Sequence, residues 1–117
     1  MLVVEDDDPI RELLVVLLAE EGYAVAAAVN GQAGLARCAA FHPDLVVLDL
    51  TMPVLGGAGF LSQRAAHDCT ALVVVTSAAG DATTIPDGAE FSAFISKPFD
   101  IETFTARVNA IMATASS

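Results

Sequence analysis

Short apolar runs alternate along this chain with segments whose apolar residues recur at helical spacing. The runs at residues 1–4, 45–48 and 72–75 are apolar without alternation and are too short for helices. Such runs are typical of parallel strands that are buried on both faces. Residues 23–29 and 94–96 complete a predicted set of five strands.

The segment after the first strand carries the signals of an amphipathic helix. Asp7 or Asp8 can cap its N-terminus, Pro9 suits its first turn, and Gly22 ends it. Its apolar residues fall at helical spacing and form one stripe, made of Ile10, Leu13, Leu14, Leu17 and Leu18. We therefore expect this helix to pack on the sheet.

Further helices are predicted between the later strands. Asn30 can cap a helix at residues 31–40, another follows at 58–67, and Asp100 can cap the last one. Residues 78–89 contain two glycines and a proline without a clear apolar stripe, so we expect a short or irregular helix there.

Strands that alternate five times with helical segments predict an α/β fold, with a parallel sheet covered by helices on both faces. No linker or internal repeat interrupts the alternation. The whole chain, residues 1–117, is therefore predicted to be one domain.

Composition excludes several classes of protein. A hydrophobic content of 55% with 17% charged residues is that of a folded globular domain. The net charge of −10 argues against a nucleic-acid surface, which needs clustered cations. The apolar runs are shorter than the roughly 18 residues of a membrane span. We expect a cytoplasmic protein that binds neither nucleic acid nor membrane.

The two cysteines, Cys38 and Cys69, lack the spacing of a metal site. They are predicted to be free thiols that act as small core residues in a reducing compartment.

Polar side chains follow four of the predicted strands. Glu5 and Asp6 leave the first strand, Asp49 leaves the third, Thr76 the fourth, and Lys97, the only lysine, leaves the last. A single Asp after a strand more often caps a turn than forms a site. The second acidic group changes that balance, because ligands of open α/β sheets bind at the carboxyl ends of the strands.

Converging carboxylates at this edge would repel one another and need a cation. Carboxylate oxygens suit Mg²⁺, which also coordinates phosphate oxygens. The lysine and the threonine hydroxyl can stabilise the remaining charge of a phosphoryl group. Asp49 is then the natural nucleophile, because Glu5 and Asp6 would be committed to the metal.

The motifs at these strand ends, in their order and spacing, resemble the receiver domain of two-component response regulators. They are Leu2 to Asp7 with Pro9 to Leu14, Leu48 to Pro53, Val75-Thr76, and Lys97-Pro98-Phe99. The resemblance covers essentially the whole chain. It implies a flavodoxin-like (βα)5 fold with strand order 2-1-3-4-5, which places Glu5 and Asp6 beside Asp49.

The resemblance implies a phosphorylation-activated switch that is not a classical enzyme. Asp49 would accept a phosphoryl group from a sensor histidine kinase or a histidine phosphotransfer protein. Asp6 would bind Mg²⁺ directly, Glu5 mainly through water, and Thr51 through its backbone carbonyl. Lys97 would contact the phosphoryl oxygens.

The switch implied by the resemblance begins at Thr76, whose hydroxyl would turn toward the phosphoryl group. Phe94 matches the aromatic residue that follows this movement. The face around the fourth helix, fifth strand and fifth helix would report the change to an effector domain or a downstream protein, with the chain a monomer or a weak phosphorylation-dependent homodimer. Thr51 and Ala78 flank the path of hydrolytic water, and neither offers a strong base, so slow to moderate loss of the phosphoryl group is expected.

Three departures from the family pattern concern the loop after Asp49, the switch residue and the signalling face. Gly56 beside Gly57 suggests a more flexible loop after Asp49, Phe94 replaces a more common tyrosine, and residues 78–89 suggest a remodelled signalling face. Two alternatives stay open. One is a receiver-like interaction module that works without phosphorylation, and the other is an Asp-nucleophile phosphohydrolase, which would need a general acid where Thr51 stands.

Overall fold

The computed structural model describes residues 1–50, 56–67, 69–78 and 91–115. Five parallel strands form one sheet in the order β2-β1-β3-β4-β5, which confirms the predicted α/β fold and the flavodoxin-like strand order. The strands are β1, Leu2–Val4; β2, Ala26–Ala28; β3, Leu45–Asp49; β4, Leu72–Ala78; and β5, Ala93–Lys97.

The helices occupy the segments in which they were predicted. They are α1, Asp8–Glu20; α2, Gly31–Phe41; α3, Gly57–Gln63, which continues as a 3₁₀ turn over Arg64–His67; and the C-terminal helix, Ile101–Ala115. None of the helices in the described part of the chain is long and apolar enough to cross a membrane.

Local capping explains where three of these helices begin. The Asp7 carboxylate accepts a hydrogen bond from the backbone N–H of Ile10 at 3.0 Å, and the Asn30 side chain accepts one from Ala33 at 2.8 Å. The Asp100 carboxylate does the same for Thr103 at 3.1 Å. These bonds satisfy donors that the first helical turn leaves without a partner. Of the two candidates for the first cap, the structure selects Asp7.

The sheet separates two hydrophobic clusters, because successive side chains of a strand point to opposite faces. Val4 and Phe60 belong to the cluster that α2 and α3 cover, and Val3 and Phe104 belong to the cluster under α1 and the C-terminal helix. The third strand is buried along its whole length, as its unbroken apolar run predicts.

Strand lengths differ most from the predictions at β2 and β4. β2 covers only Ala26–Ala28 because these are the residues in register with Leu2–Val4 of the short first strand. β4 continues beyond Val75 to Ala78 because β5 pairs with it as far as Ala78 and Lys97. Residues 79–90, where a short or irregular helix was predicted, lie outside the described residues.

The prediction of two free thiols is wrong. Cys38 on α2 and Cys69, just before β4, form a disulfide across 31 positions of sequence. Both residues are buried, as expected. The two positions meet because α2 packs against the 3₁₀ turn that precedes Cys69. Pairing of this kind depends on tertiary packing, and cysteine spacing alone does not reveal it.

Candidate functional site

The strand order brings the predicted site residues to one edge of the sheet. β1 and β3 are neighbours, so Glu5, which follows β1, lies near Asp49 at the end of β3. Asp49 is in register with Thr76 on β4, and Lys97 ends β5. Glu5, Asp49 and Thr76 are at most 5% exposed. These three polar groups therefore lie close to one another with little exposure to water.

Lys97 bridges the two buried carboxylates. Its Nζ donates a hydrogen bond to Glu5 Oε1 at 2.6 Å and lies 3.4 Å from Asp49 Oδ1. One ammonium group therefore faces two acids, and the Glu5 carboxylate holds it more closely. A buried pair of this kind is stable only while both partners are present.

Burial and charge shift the pKa values of this network. Burial raises the pKa of Glu5 to about 7. The charge of Asp49 and its hydrogen bond raise the pKa further, and these effects together outweigh the hydrogen bond from Lys97, which lowers it. Burial lowers the pKa of Lys97, but the bond to Glu5 and the charges of Glu5 and Asp49 outweigh it, so the net shift is upward. The lysine is held as a cation, whereas Glu5 can exchange a proton near neutral pH.

Three carboxylates offer a site for a hard cation. One oxygen from each of Glu5, Asp6 and Asp49 lies within 4.8 Å of the others. Mg²⁺ prefers carboxylate oxygens and keeps several waters, and the exposed side chain of Asp6 leaves room for them. The donor set therefore fits Mg²⁺. Thr51, whose carbonyl was expected to join this set, lies outside the described residues.

The Thr76 hydroxyl is the unsatisfied group of the site. Its Oγ1 is buried and has no hydrogen-bond partner among the residues that the structure describes. A buried hydroxyl without a partner costs about 1–3 kcal/mol. An additional acceptor at this edge of the sheet would remove that cost.

The backbone after Asp49 is tightly packed. Leu50 N–H donates to the carbonyl of Thr76 at 3.0 Å, and Gly57 N–H donates to the carbonyl of Leu50 at 2.9 Å. A Cβ on Gly57 would lie 2.6 Å from Leu50 Cα and 2.7 Å from the Asp49 carbonyl oxygen. Gly57 thus allows the start of α3 to lie against the backbone of Asp49. Sequence reasoning attributed this glycine to flexibility and missed its close contact.

The remaining predicted residues occupy β4 and β5. Phe94 is half-buried, packs against the cluster under α2 and α3, and is paired with Val75, the neighbour of Thr76. Ala78 is the last residue of β4, and its side chain is outside the described set.

Sequence reasoning also missed Arg11, whose guanidinium donates to the Glu5 carbonyl at 3.0 Å. The available signal was its position one turn into α1, beside the acidic loop.

The chain is similar in sequence to a known protein family and to several of its members. The family model of the response regulator receiver domain matches residues 1–109. The transcriptional regulatory protein CseB of Streptomyces coelicolor is 37% identical over 114 residues, which cover 96% of this chain and 48% of CseB. Response regulator ArlR of Staphylococcus aureus is 32% identical over 114 residues, covering 96% of this chain and 52% of ArlR. The chain spans about half the length of these curated relatives.

The fold is also similar to that of a solved structure. The receiver domain of NtrX from Brucella abortus matches with a TM-score of 0.84 and 28% identity, covering 97% of this chain and 98% of that domain.

Proposed function

This chain belongs to the response regulator receiver domain family of two-component signalling proteins, and from this membership we propose that it is a switch operated by phosphorylation of Asp49. We further propose that residues 1–117 form one receiver domain. Members of the family are signalling proteins rather than classical enzymes, and any catalysis by this chain would be limited to its own phosphorylation and dephosphorylation.

The observation that carries the proposal is the position of Lys97 between Glu5 and Asp49. Thr76, which is in register with Asp49, has a buried hydroxyl without a hydrogen-bond partner among the described residues. Glu5 holds the lysine at 2.6 Å, and its Oε2 also accepts from the Asp7 N–H at 3.4 Å. Asp49 contacts the lysine at 3.4 Å. The more weakly held carboxylate is the better nucleophile, which supports Asp49 as the acceptor.

The phosphoryl group would come from a phosphohistidine of a sensor histidine kinase or a histidine phosphotransfer protein. An Asp49 oxygen forms the new P–O bond while the P–N bond to the donor imidazole breaks, and the electron pair of that bond stays with the imidazole. Lys97 can then donate to a phosphoryl oxygen, and the Thr76 hydroxyl can donate to another. Both groups stabilise charge that the transfer brings to the strand ends.

Glu5, Asp6 and Asp49 would hold Mg²⁺, with the Thr51 carbonyl as a proposed fourth protein ligand. Bound Mg²⁺ supplies positive charge that offsets the carboxylates and the phosphoryl oxygens. The chain's own contribution is to keep these carboxylates together, with Glu5 and Asp49 buried.

The response would begin with Thr76 and Phe94. The Thr76 hydroxyl would move toward the phosphoryl group, and Phe94 would follow through the pairing of β4 with β5, in which it lies opposite Val75, the neighbour of Thr76. The face around β5, the C-terminal helix and the segment before β5 would present this change to an effector domain or a downstream protein. DNA contact would belong to another part of the system, since this chain carries a net charge of −10.

Two properties follow from the same proposal. Thr51 and Ala78 offer no strong base for the hydrolytic water, so the phosphoryl group should leave slowly or at a moderate rate. The chain should be a monomer or a weak homodimer whose association depends on phosphorylation.

The test is intact mass after incubation with Mg²⁺ and acetyl phosphate. We expect a single phosphoryl adduct that is absent from Asp49→Asn and from samples with chelator. Asp44→Asn, an exposed carboxylate before β3, is the matched control and should still be modified. An unmodified wild-type protein would favour an interaction module that works without phosphorylation, and turnover of a generic phosphate ester would favour a phosphohydrolase.

A further inference from the structure

Arg11 lies in α1 and reaches back over the loop that leaves β1. Its Nη1 donates to the carbonyl oxygen of Glu5 at 3.0 Å and lies 3.5 Å from that of Asp6. Its Nη2 pairs with the Asp8 carboxylate. The Arg11 side chain is only 16% exposed, which is low for an arginine near a helix N-terminus. Its guanidinium thus lies against three residues of one acidic segment, Glu5, Asp6 and Asp8.

These contacts hold the backbone of two proposed metal ligands. The peptide N–H of Glu5 donates to the Ala28 carbonyl at 3.1 Å, which ties the loop to β2. Arg11 contacts the carbonyl oxygens of Glu5 and Asp6. A planar guanidinium with several fixed donors suits this task, whereas an ammonium group offers a point charge on a flexible stem.

The other acids of the loop are already in use. Asp7 caps α1 by accepting from Ile10, and Asp8 anchors the far side of the guanidinium. Only Glu5 and Asp6 therefore remain to face the strand ends, and both have their carbonyl oxygens beside Arg11. The direction of both side chains depends on a backbone that Arg11 fixes.

We propose that Arg11 is a positioning residue for the divalent-cation site, acting through the backbone of Glu5 and Asp6 without touching the cation. The inference rests on the proposed function, because it concerns the carboxylates assigned to Mg²⁺. Residues that orient metal ligands typically change metal affinity by about 10–100-fold when they are replaced.

Charge and geometry predict opposite results for removal of Arg11. Loss of a cation near three carboxylates would by itself strengthen the binding of Mg²⁺. Loss of the hydrogen bonds would let the loop move and would weaken it. The sign of the change in affinity therefore separates a positioning role from a purely electrostatic one.

The experiment is a calorimetric titration of the full chain with Mg²⁺ alone. Arg11→Met should raise the Kd by about tenfold. Arg11→Lys, which keeps the charge but not the fork, should fall between Arg11→Met and wild type. Arg107→Met is the matched control at an exposed arginine on the C-terminal helix, and its Kd should stay within about twofold because exposed charges are screened.

A second readout uses the rate of modification by acetyl phosphate as a function of Mg²⁺ concentration. Arg11→Met should need more Mg²⁺ for half-maximal rate and should approach the wild-type rate at saturation, since Arg11 touches no reacting group. If Arg11→Met does not fold, Arg11→Lys carries the comparison: it keeps the positive charge, so a purely electrostatic role predicts an unchanged Kd and a positioning role predicts a raised one.

Unchanged or tighter Mg²⁺ binding by the Arg11 variants, with normal binding by wild type, would overturn the inference alone. Absence of Mg²⁺ binding by wild type would overturn the proposed function and the role of Arg11 with it.

Discussion

Reduction of the Cys38–Cys69 disulfide should destabilise the domain without unfolding it. Both cysteines lie in the core cluster under α2 and α3, where reduced thiols remain suitable small apolar groups. The folded state should therefore change little. The main effect is expected in the unfolded state, which gains conformational freedom once the cross-link is gone.

The length of the closed loop sets the magnitude. The cysteines are 31 positions apart, and closing a loop of this size removes chain entropy worth about 4 kcal/mol at 25 °C. A loss of that size should lower the Tm of a domain of this length by about 16 °C. The unfolded state of the cross-linked protein is also more compact, so the oxidised form should show the smaller dependence of unfolding free energy on urea.

The assay compares urea and thermal unfolding of the same protein with and without a phosphine reductant. Thiol titration under denaturing conditions must show that the bond is present before treatment and absent afterwards. Cys38→Ala/Cys69→Ala is the control, because its unfolding should not respond to the reductant. Equal unfolding midpoints for the fully oxidised and fully reduced wild type would refute the reasoning from loop closure.

Two further predictions concern the site. The pKa of Glu5 is raised from an ordinary 4.5 to about 7, so the folded, metal-free protein binds this proton more tightly than the unfolded chain. The resulting stabilisation should be complete below about pH 4.5 and should be lost as the pH rises through 7. Urea unfolding at several pH values should show this slope in wild type and in Glu12→Gln, an exposed control, but not in Glu5→Gln. Gly57→Ala should lower the free energy of unfolding by about 1–3 kcal/mol, because its Cβ would meet the backbone of Asp49 and Leu50; an unchanged urea midpoint would contradict the close contact.

Local signals in the sequence were sufficient for most of the fold. The unbroken apolar run at residues 45–48 predicts a strand buried on both faces, and the structure buries all of β3. The caps at Asn30 and Asp100 follow from short-range chemistry between a side chain and a nearby N–H. The motifs at the strand ends supplied the family, and with it the strand order that places Glu5 beside Asp49.

Features that depend on tertiary packing were not predictable in this way. The disulfide needs α2 and the turn before β4 to pack together, and the extension of β4 to Ala78 needs β5 beside it. The role of Gly57 depends on how closely α3 approaches the end of β3. Arg11 could be placed on a helix, but its contact with the Glu5 carbonyl depends on the path of the loop.

Two groups of interactions in the site are incomplete in this state, and the proposed function would complete both. One ammonium group, on Lys97, serves two buried carboxylates, and the Thr76 hydroxyl has no partner among the described residues. A cation at the carboxylates would offset part of the negative charge that Lys97 alone now faces. A phosphoryl group on Asp49 would offer acceptors to both Lys97 and Thr76. Polar groups that are unsatisfied in one state and satisfied in the other favour the second state by their own hydrogen bonds. On this reasoning, the unphosphorylated domain already holds the groups that would stabilise its phosphorylated form.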